Sequence, residues 1–339
     1  MPLIPRVGRK NARARLLLLG ISAVLWTGVL LHLFPFWWMV VSSVKPTREI
    51  FERPFAMWPE NASAASYSLL FSTVSAKGMN LSLDVFRYPM WVYLWNSVLI
   101  AGGTVLLQVP VTAAVAYAIT KLHTPGWSKV LFLFCIGTLM IPGEISTVPR
   151  FLLLSHFPWP TPEVPRIPLT DLELPSFSFV GTYLGVILPA GFSAFNLLLF
   201  KGFFDTIPDD LIDAARMDGA SEARVFRHII LPLAQPILAV TVYFAFTAAW
   251  NSFLTPWIIL MSEQGKWPLS VVLYKLQVFL TNWQPSQGSM DPAAQKLLQS
   301  GVGFNALMAL SVVESIPIFV AFLVFREQLM KGVRLSGFR

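Results

Sequence analysis

The sequence predicts an all-α protein that crosses a membrane six times. Its 339 residues are 55% hydrophobic and only 13% charged, and their mean hydropathy is +0.62. These values are typical of polytopic membrane proteins and exclude an ordinary soluble domain. Six apolar runs alternate with polar segments, and each is long enough to cross a hydrocarbon layer of about 30 Å as a helix of about 20 residues.

The six apolar runs define the order of the predicted transmembrane helices. A basic tail, residues 1–15, precedes the first run. It looks like the start of a signal peptide, but the run behind it is too long and lacks a small-residue cleavage site, so we expect an uncleaved first span. The predicted spans are, approximately, residues 16–43, 91–119, 130–148, 179–200, 233–261 and 304–325.

The distribution of basic residues predicts the orientation of these spans. With both termini in the cytoplasm, fifteen of the 25 Lys and Arg residues lie in inside segments, which are shorter in total than the outside ones. Lys and Arg accumulate on the cytoplasmic side of membrane proteins, so this distribution agrees with an even number of spans. The topology places residues 205–232 in the cytoplasm and residues 262–303 in a long outer loop.

The polar segment 205–232, between the fourth and fifth spans, is predicted to form a helical hairpin. Pro208 suits the first turn of a helix, and the acidic residues that follow it are favourable near a helix N-terminus. Gly219 is expected to end this helix, and Ser221 to cap a second one that enters the membrane at Ile229–Pro232. The first helix carries a narrow face of mostly small residues at helical spacing: Leu211, Ala214, Ala215 and Asp218.

The spacing within this hairpin resembles the "EAA" loop of permease subunits from binding-protein-dependent ATP-binding-cassette importers. Asp213-Ala214-Ala215 is followed after three residues by Gly219, and after nine more by Ile229-x-Leu231-Pro232, so both gap lengths match. Asp213 stands where the pattern usually has Glu. This change keeps the negative charge and shortens the side chain. The resemblance implies that an ATPase subunit docks on Asp213, Ala214, Ala215, Asp218, Gly219, Ile229, Leu231 and Pro232.

The resemblance covers most of the chain and implies a MetI-like ABC permease fold in a bacterial cytoplasmic (inner) membrane. Segments Pro35–Phe51 and Thr247–Leu260 look like those of the carbohydrate (maltose-type) branch, which implies import of a sugar or related polyol. The implied partners are two ATP-binding-cassette ATPase subunits, a second permease subunit, most simply a different chain, an extracytoplasmic solute-binding protein and the lipid bilayer. ATP and Mg would bind to the ATPase subunits, and no cofactor is expected in this chain.

Four residues in the last two predicted spans are candidates for the substrate pathway. Trp250, Asn251 and Phe253 combine aromatic faces, which stack on sugar rings, with an amide that can bond hydroxyl groups. Packing between helices is the alternative role for each of them. Glu314 lies near the middle of the sixth span, where a charged group is costly and therefore a functional candidate. It either faces the substrate, or it is protonated or bonded to a neighbouring helix at the permease interface.

The sequence argues against the other function classes. It contains no phosphate-binding G-x-x-x-x-G-K-[ST] motif, no metal-spaced Cys/His group and no catalytic set, so we expect a transport subunit and not an enzyme. The net charge of +7 is explained by the cytoplasmic basic residues and does not call for nucleic acid. An ion-coupled secondary transporter remains the alternative, but the spans show no obvious inverted repeat and few internal ionisable residues.

Overall fold

The computed structural model describes residues 12–71, 87–122, 126–158, 176–282 and 303–336. In these ranges the chain is helical, as the predicted all-α class requires, and contains no strand beyond an isolated antiparallel bridge between Phe157 and Phe177. Most of the predicted N-terminal tail and residues 283–302 of the predicted outer loop lie outside the described residues.

The helices are numbered in chain order, and short 3₁₀ or π turns extend some of them. They are α1 (Ala12–Val44), α2 (Thr47–Glu52), α3 (Ala65–Phe71), α4 (Met90–Lys121), α5 (Trp127–Gly137), α6 (Thr147–Ser155), α7 (Tyr183–Ile187), α8 (Ala194–Phe204), α9 (Asp209–Met217), α10 (Glu222–Val225), α11 (Leu231–Leu233), α12 (Gln235–Asn251), α13 (Leu254–Ile259), α14 (Leu269–Asn282) and α15 (Phe304–Ser336).

Three of the described helices are long and apolar enough to cross a membrane, namely α1, α4 and α15. Two bent helix pairs raise this number to five if each pair counts as one span: 183–204, bent by 41°, and 222–251, bent by 84°. The predicted span 130–148 is not one continuous helix in the structure. Helix α5 with its 3₁₀ extension ends at Met140, and α6 begins only at Thr147. The helical part, residues 127–140, is apolar but shorter than the three long helices. Six spans therefore remain a prediction that agrees with these helices.

The described residues fall into two compact units, the first comprising residues 1–70 with 285–313. Here the N-terminal end of α15 packs on α2. The Thr47 hydroxyl donates to Asn305 Oδ1 over 2.8 Å, and the rings of Phe51 and Phe304 meet edge to face. Lys45 is buried, and its ammonium group donates a hydrogen bond to the carbonyl of Ala56 over 2.6 Å. This bond partly compensates for the hydration that the ammonium group loses. Polar and aromatic contacts of the segment that follows α1 thus hold this unit together.

The second unit, residues 71–284 with 314–339, is organised around α4. Helices α8 and α12 make the most extensive contacts with α4. This core combines small and aromatic side chains. Ala113 and Ala116 on α4 and Phe200 and Phe204 on α8 belong to one cluster, and all four are fully buried. The small alanine side chains leave room for the aromatic rings. Close packing of this kind makes the three helices a stiff assembly.

The segment predicted as an outer loop, residues 262–303, contains the helix α14. Its buried residues Leu269, Val272, Leu276 and Leu280 recur at helical spacing. Burial of this apolar stripe stabilises a helix within the segment predicted as an outer loop. The helix carries one wall of the polar cavity described below.

Candidate functional site: a helical hairpin and a polar cavity

The hairpin, residues 205–232, has the predicted helix–bend–helix conformation. Helix α9 ends in a Schellman motif, in which the N–H of Ala220 donates to the carbonyl of Ala215 and the N–H of Gly219 to that of Arg216, both over 3.0 Å. Gly219 has φ +79°, a left-handed conformation that glycine adopts without a Cβ penalty. Pro208 and Ser221 occupy the N-cap positions of α9 and α10, although Ser221 makes no side-chain capping bond.

Apolar side chains anchor one side of the hairpin in the core of the second unit. Ile212 on α9, Val225 on α10 and Ile230 are at most 1% exposed, and they belong to the same cluster as the aromatic residues of α8. Fully burying such a side chain contributes roughly 1.5–3 kcal/mol. The hairpin is therefore part of the packed helical core and not a loose connection.

A polar network joins the hairpin to the end of α4. Arg216 lies at its centre: the guanidinium donates to Glu222 Oε1 over 2.8 Å, to Asp213 Oδ1 over 3.0 Å and to the carbonyl of Lys121 over 3.2 Å. The Tyr117 hydroxyl donates to the other oxygen of Glu222 over 2.5 Å. These bonds, from Arg216 first and Tyr117 second, hold the pKa of Glu222 below its ordinary value of 4.5.

The buried ammonium group of Lys121 makes a second connection to the hairpin. It donates to the carbonyl of Ile207 over 2.7 Å and to the carboxylate of Asp209 over 2.6 Å. Its side chain is only 4% exposed, so both bonds compensate for the loss of hydration. The first and last turns of α9 are thus both bonded to the last turns of α4.

The eight residues of the sequence motif divide between an exposed and a packed group. Ala215, Ile229 and Leu231 pack against the core cluster and are partly buried. Such packing fixes the position of the exposed group relative to α4 and α8. The exposed group is Asp213, Ala214, Asp218, Gly219 and Pro232.

The second part of the hairpin extends beyond the motif. It continues through a π turn, Phe226–Ile230, and ends at Leu233. Entry into the membrane at Ile229–Pro232 stays a prediction. The chain then bends by 84° into α12 at Ala234, which is fully buried. Because of this bend, residues 222–233 lie across the end of α12. In this position both Val225 and Ile230 are buried in the core.

A polar cavity of about 240 Å³ lies among the end of α12, α14 and α15. Of the predicted pathway residues, Asn251, Phe253 and Glu314 line it. Asn251 and Gln277 are exposed, whereas Ser270 and Glu314 are buried. The cavity thus has an exposed part and a buried part, and both carry polar side chains. Its lining includes Asn251, Phe253, Ser270, Tyr274, Gln277 and Glu314.

Trp250, the fourth predicted pathway residue, is not among the described residues that line this cavity. Its side chain is 2% exposed and stacks on Phe246 at 5.5 Å. Its indole N–H donates to the backbone carbonyl of Glu314 over 3.1 Å, which ties α12 to α15. The structure therefore gives Trp250 a packing contact that fixes the position of Glu314.

Sequence reasoning missed the partners that complete both features. Tyr117 lies at the end of the predicted span 91–119 and Lys121 just after it, and only the fold brings them to the hairpin. Ser270, Tyr274 and Gln277 fall in the stretch predicted as a loop. The apolar spacing of α14 was the available signal for a helix there, since leucines and valines recur every three or four residues.

Comparison with known proteins gives the family and the fold. The family model described as "Binding-protein-dependent transport system inner membrane component" matches residues 7–334. The diacetylchitobiose uptake system permease protein NgcG of Streptomyces coelicolor is 25% identical over 316 residues, which cover 93% of this chain and 86% of that protein. The sn-glycerol-3-phosphate transport system permease protein UgpE of Salmonella typhi is 26% identical over 309 residues, covering 90% and 92%.

The solved structures support the same assignment at the level of the fold. A bacterial ABC transporter involved in the import of the acidic polysaccharide alginate superposes with a TM-score of 0.67 at 20% identity, over 94% of this chain and 98% of that chain. The predicted MetI-like permease fold is thereby confirmed, and the relatives are transport components rather than enzymes. The chain belongs to the family of inner membrane components of binding-protein-dependent transport systems.

Proposed function

We propose that this chain is a permease subunit of an ATP-driven sugar importer and that the hairpin 205–232 couples it to a separate ATPase. The observation that carries the proposal is the division of the hairpin. One side is fixed to the core through Ile212, Val225 and Ile230, while the bend at Gly219 stays exposed. A rigid element with an exposed face of small residues can transmit the movement of a docked protein.

The mechanism follows from this rigidity. When two ATPase subunits close on ATP, the docked hairpins move together. The bonds of Arg216 and Lys121 to the end of α4 pass that movement to α4, and the apolar anchor passes it to α8. The helices then turn the pathway from inward-facing to outward-facing. ATP and Mg²⁺ bind to the ATPase subunits in this scheme, and this chain supplies movement and the solute pathway.

The remaining partners follow from the family and its relatives. A second permease subunit completes the pathway, and an extracytoplasmic solute-binding protein delivers the solute. One solved alginate transporter is in complex with a pentasaccharide-bound periplasmic protein, which supports this arrangement. The names of NgcG and UgpE refer to a neutral disaccharide and to an anionic phosphate ester. We therefore propose a sugar or related polyol as the solute of this chain.

The decisive experiment is purification of the chain from membranes in mild detergent, with identification of the co-purifying proteins and measurement of ATP-dependent uptake in proteoliposomes. We expect an ATPase with a phosphate-binding loop and a second permease to co-purify. Recovery of the chain alone, with uptake driven by an ion gradient and independent of ATP, would support the secondary-transporter alternative instead.

The substitution Gly219→Leu tests the docking surface within that experiment. A Cβ at Gly219 would meet no described atom within 4 Å, so the new side chain projects outward, although φ +79° adds strain of about 1–2 kcal/mol. We expect at least a roughly tenfold loss of co-purified ATPase and of uptake, equivalent to about 1.4 kcal/mol of docking free energy, at an unchanged membrane level of the protein.

Gly143→Leu is the matched control for Gly219→Leu. Gly143 is also exposed with no described atom within 4 Å of a Cβ, and it lies in the turn before α6, on the predicted outer side. We expect this variant to retain the ATPase. If Gly219→Leu also retains it, the hairpin bend is not the docking surface.

A further inference from the structure

The cavity between α12, α14 and α15 contains a buried carboxyl oxygen without a partner. Glu314 is 7% exposed, and its Oε2 atom has no hydrogen-bond partner among the described residues. Leaving such a polar atom buried and unpaired is energetically unfavourable. The position is fixed on the backbone side, because the indole of Trp250 donates to the Glu314 carbonyl. A ligand group inside the cavity would remove this cost.

The other groups around the cavity are neutral. Asn251 and Gln277 present amides, and the Ser270 hydroxyl already donates to the carbonyl of Ser252 over 2.8 Å. The rings of Phe253 and Tyr274 stack at 4.5 Å and form an aromatic wall. Amides that both donate and accept, next to an aromatic surface, are the groups that recognise sugar hydroxyls and sugar faces.

No basic residue is found among the described residues that line the cavity. The neighbouring Lys275 on α14 lies 5.0 Å above the ring of Trp257 and 5.5 Å above the ring of Trp267, so its charge is directed to those rings. An anionic ligand group would therefore meet Glu314 without a cation to offset it. Like charges at short distance in a partly buried site repel more strongly than in bulk water.

A hydroxyl group suits Glu314 in either protonation state. It can donate to an ionised carboxylate, and it can accept from a protonated carboxyl while donating elsewhere. A phosphate or uronate group suits only the protonated acid. From this chemistry we infer that the Glu314 cavity is a binding site for neutral, hydroxyl-bearing sugar residues and that it discriminates against anionic ones. The inference rests on the proposed function, because it names the solute class of that pathway.

Protection of a single cysteine from alkylation tests this inference on the full-length chain in lipid nanodiscs. Cys135, the one native cysteine, is replaced by serine, and Leu273→Cys places a thiol on the cavity wall without removing a polar group. The rate of reaction with N-ethylmaleimide is measured with diacetylchitobiose or maltose as neutral probes, and with trigalacturonate or sn-glycerol 3-phosphate as anionic probes. We expect the neutral sugars to slow alkylation and the anions to leave it unchanged.

The substitution Glu314→Leu keeps the volume and removes the acceptor. We expect it to raise the sugar concentration that gives half-protection roughly tenfold, as loss of one hydrogen bond to an acidic group predicts. Glu314→Gln keeps the shape and a neutral hydrogen-bonding group, so a smaller increase is expected. Thermal unfolding of each variant separates a loss of binding from a loss of folding.

Three results would overturn the inference: protection by the anions equal to that by the sugars, no protection by either neutral sugar, or unchanged protection in a folded Glu314→Leu variant. The assay needs neither the ATPase nor the binding protein. If the sugars do not protect the thiol but the ATPase still co-purifies with the chain, only the inferred sugar site in the cavity is refuted. If the sugars protect the thiol but uptake is independent of ATP, only the proposed coupling to an ATPase is refuted.

Discussion

At the scale of single residues, Arg216 connects the two helices of the hairpin to each other and to α4. It bonds Asp213 within its own helix, Glu222 on the next helix and the backbone at the end of α4. One planar guanidinium with five donors can satisfy these acceptors together, which a lysine could not. Because the predicted docking residue Asp213 is one of its partners, Arg216 also fixes the orientation of the exposed surface.

The lowered pKa of Glu222 predicts a specific dependence of stability on pH. Its folded pKa lies below 4.5, so the unfolded chain binds more protons near that pH, and the contribution of the carboxylate is present above pH 4.5 and lost as the pH falls through the folded value. We expect Glu222→Gln to lower stability at neutral pH by about 0.5 kcal/mol, since both partners are partly exposed.

Thermal unfolding in detergent at neutral pH and well below pH 4.5 checks this prediction. The wild type and Glu222→Gln should differ at neutral pH and converge in acid, where the wild-type carboxyl is also uncharged. A difference of constant size across the range would show that the network does not depend on the charge of Glu222.

At the scale of elements, the hairpin is stabilised by its contacts with the core more than by its own helices. Helix α9 spans only Asp209–Met217, and isolated helices shorter than about 12–15 residues are marginal in water. Its conformation therefore depends on Ile212, which is 1% exposed, and on the bonds to α4. The same contacts that order the hairpin make it a mechanical extension of α4.

A pair of leucine and isoleucine substitutions on α9 tests this dependence. We expect Ile212→Ala to destabilise the protein by about 2–5 kcal/mol, because the buried side chain leaves a cavity. Leu211→Ala, at the neighbouring position with 48% exposure, should change stability by no more than about 0.5 kcal/mol.

Unfolding temperature and limited proteolysis of the hairpin are the measurements for this pair. Cleavage near Arg216 and Arg224 should accelerate in Ile212→Ala and stay at the wild-type rate in Leu211→Ala. Equal effects of the two substitutions would mean that the burial of Ile212 does not hold the hairpin in place.

For the whole molecule, the predicted topology places the hairpin and both termini in the cytoplasm. In the Cys135→Ser background, we expect Ser262→Cys to react with a membrane-impermeant maleimide in intact spheroplasts. Ser336→Cys should react only after permeabilisation, because it lies in the basic tail that the charge distribution places inside. The Cys135→Ser protein without an added cysteine is the blank. Labelling of both positions from the same side would refute the predicted membrane crossing of α15 between residues 262–303 and the C-terminal tail.

The amino-acid sequence by itself determined the helical class, the approximate position of the long spans and the hairpin with its glycine bend. These features depend on local properties: runs of apolar residues, the preference of glycine for positive φ at Gly219, and fixed spacings within one segment. Such properties are read along the chain, and they do not require knowledge of which helices meet.

Only the tertiary structure decided which distant residues act together. It brought Tyr117 and Lys121 on α4 to the hairpin, and Ser270 and Gln277 on α14 to Glu314 on α15. It also separated Trp250, a packing residue in the described fold, from its neighbour Asn251 at the cavity. The physical reason is that hydrogen bonds and cavities depend on distances in space, which helix packing sets and sequence spacing does not.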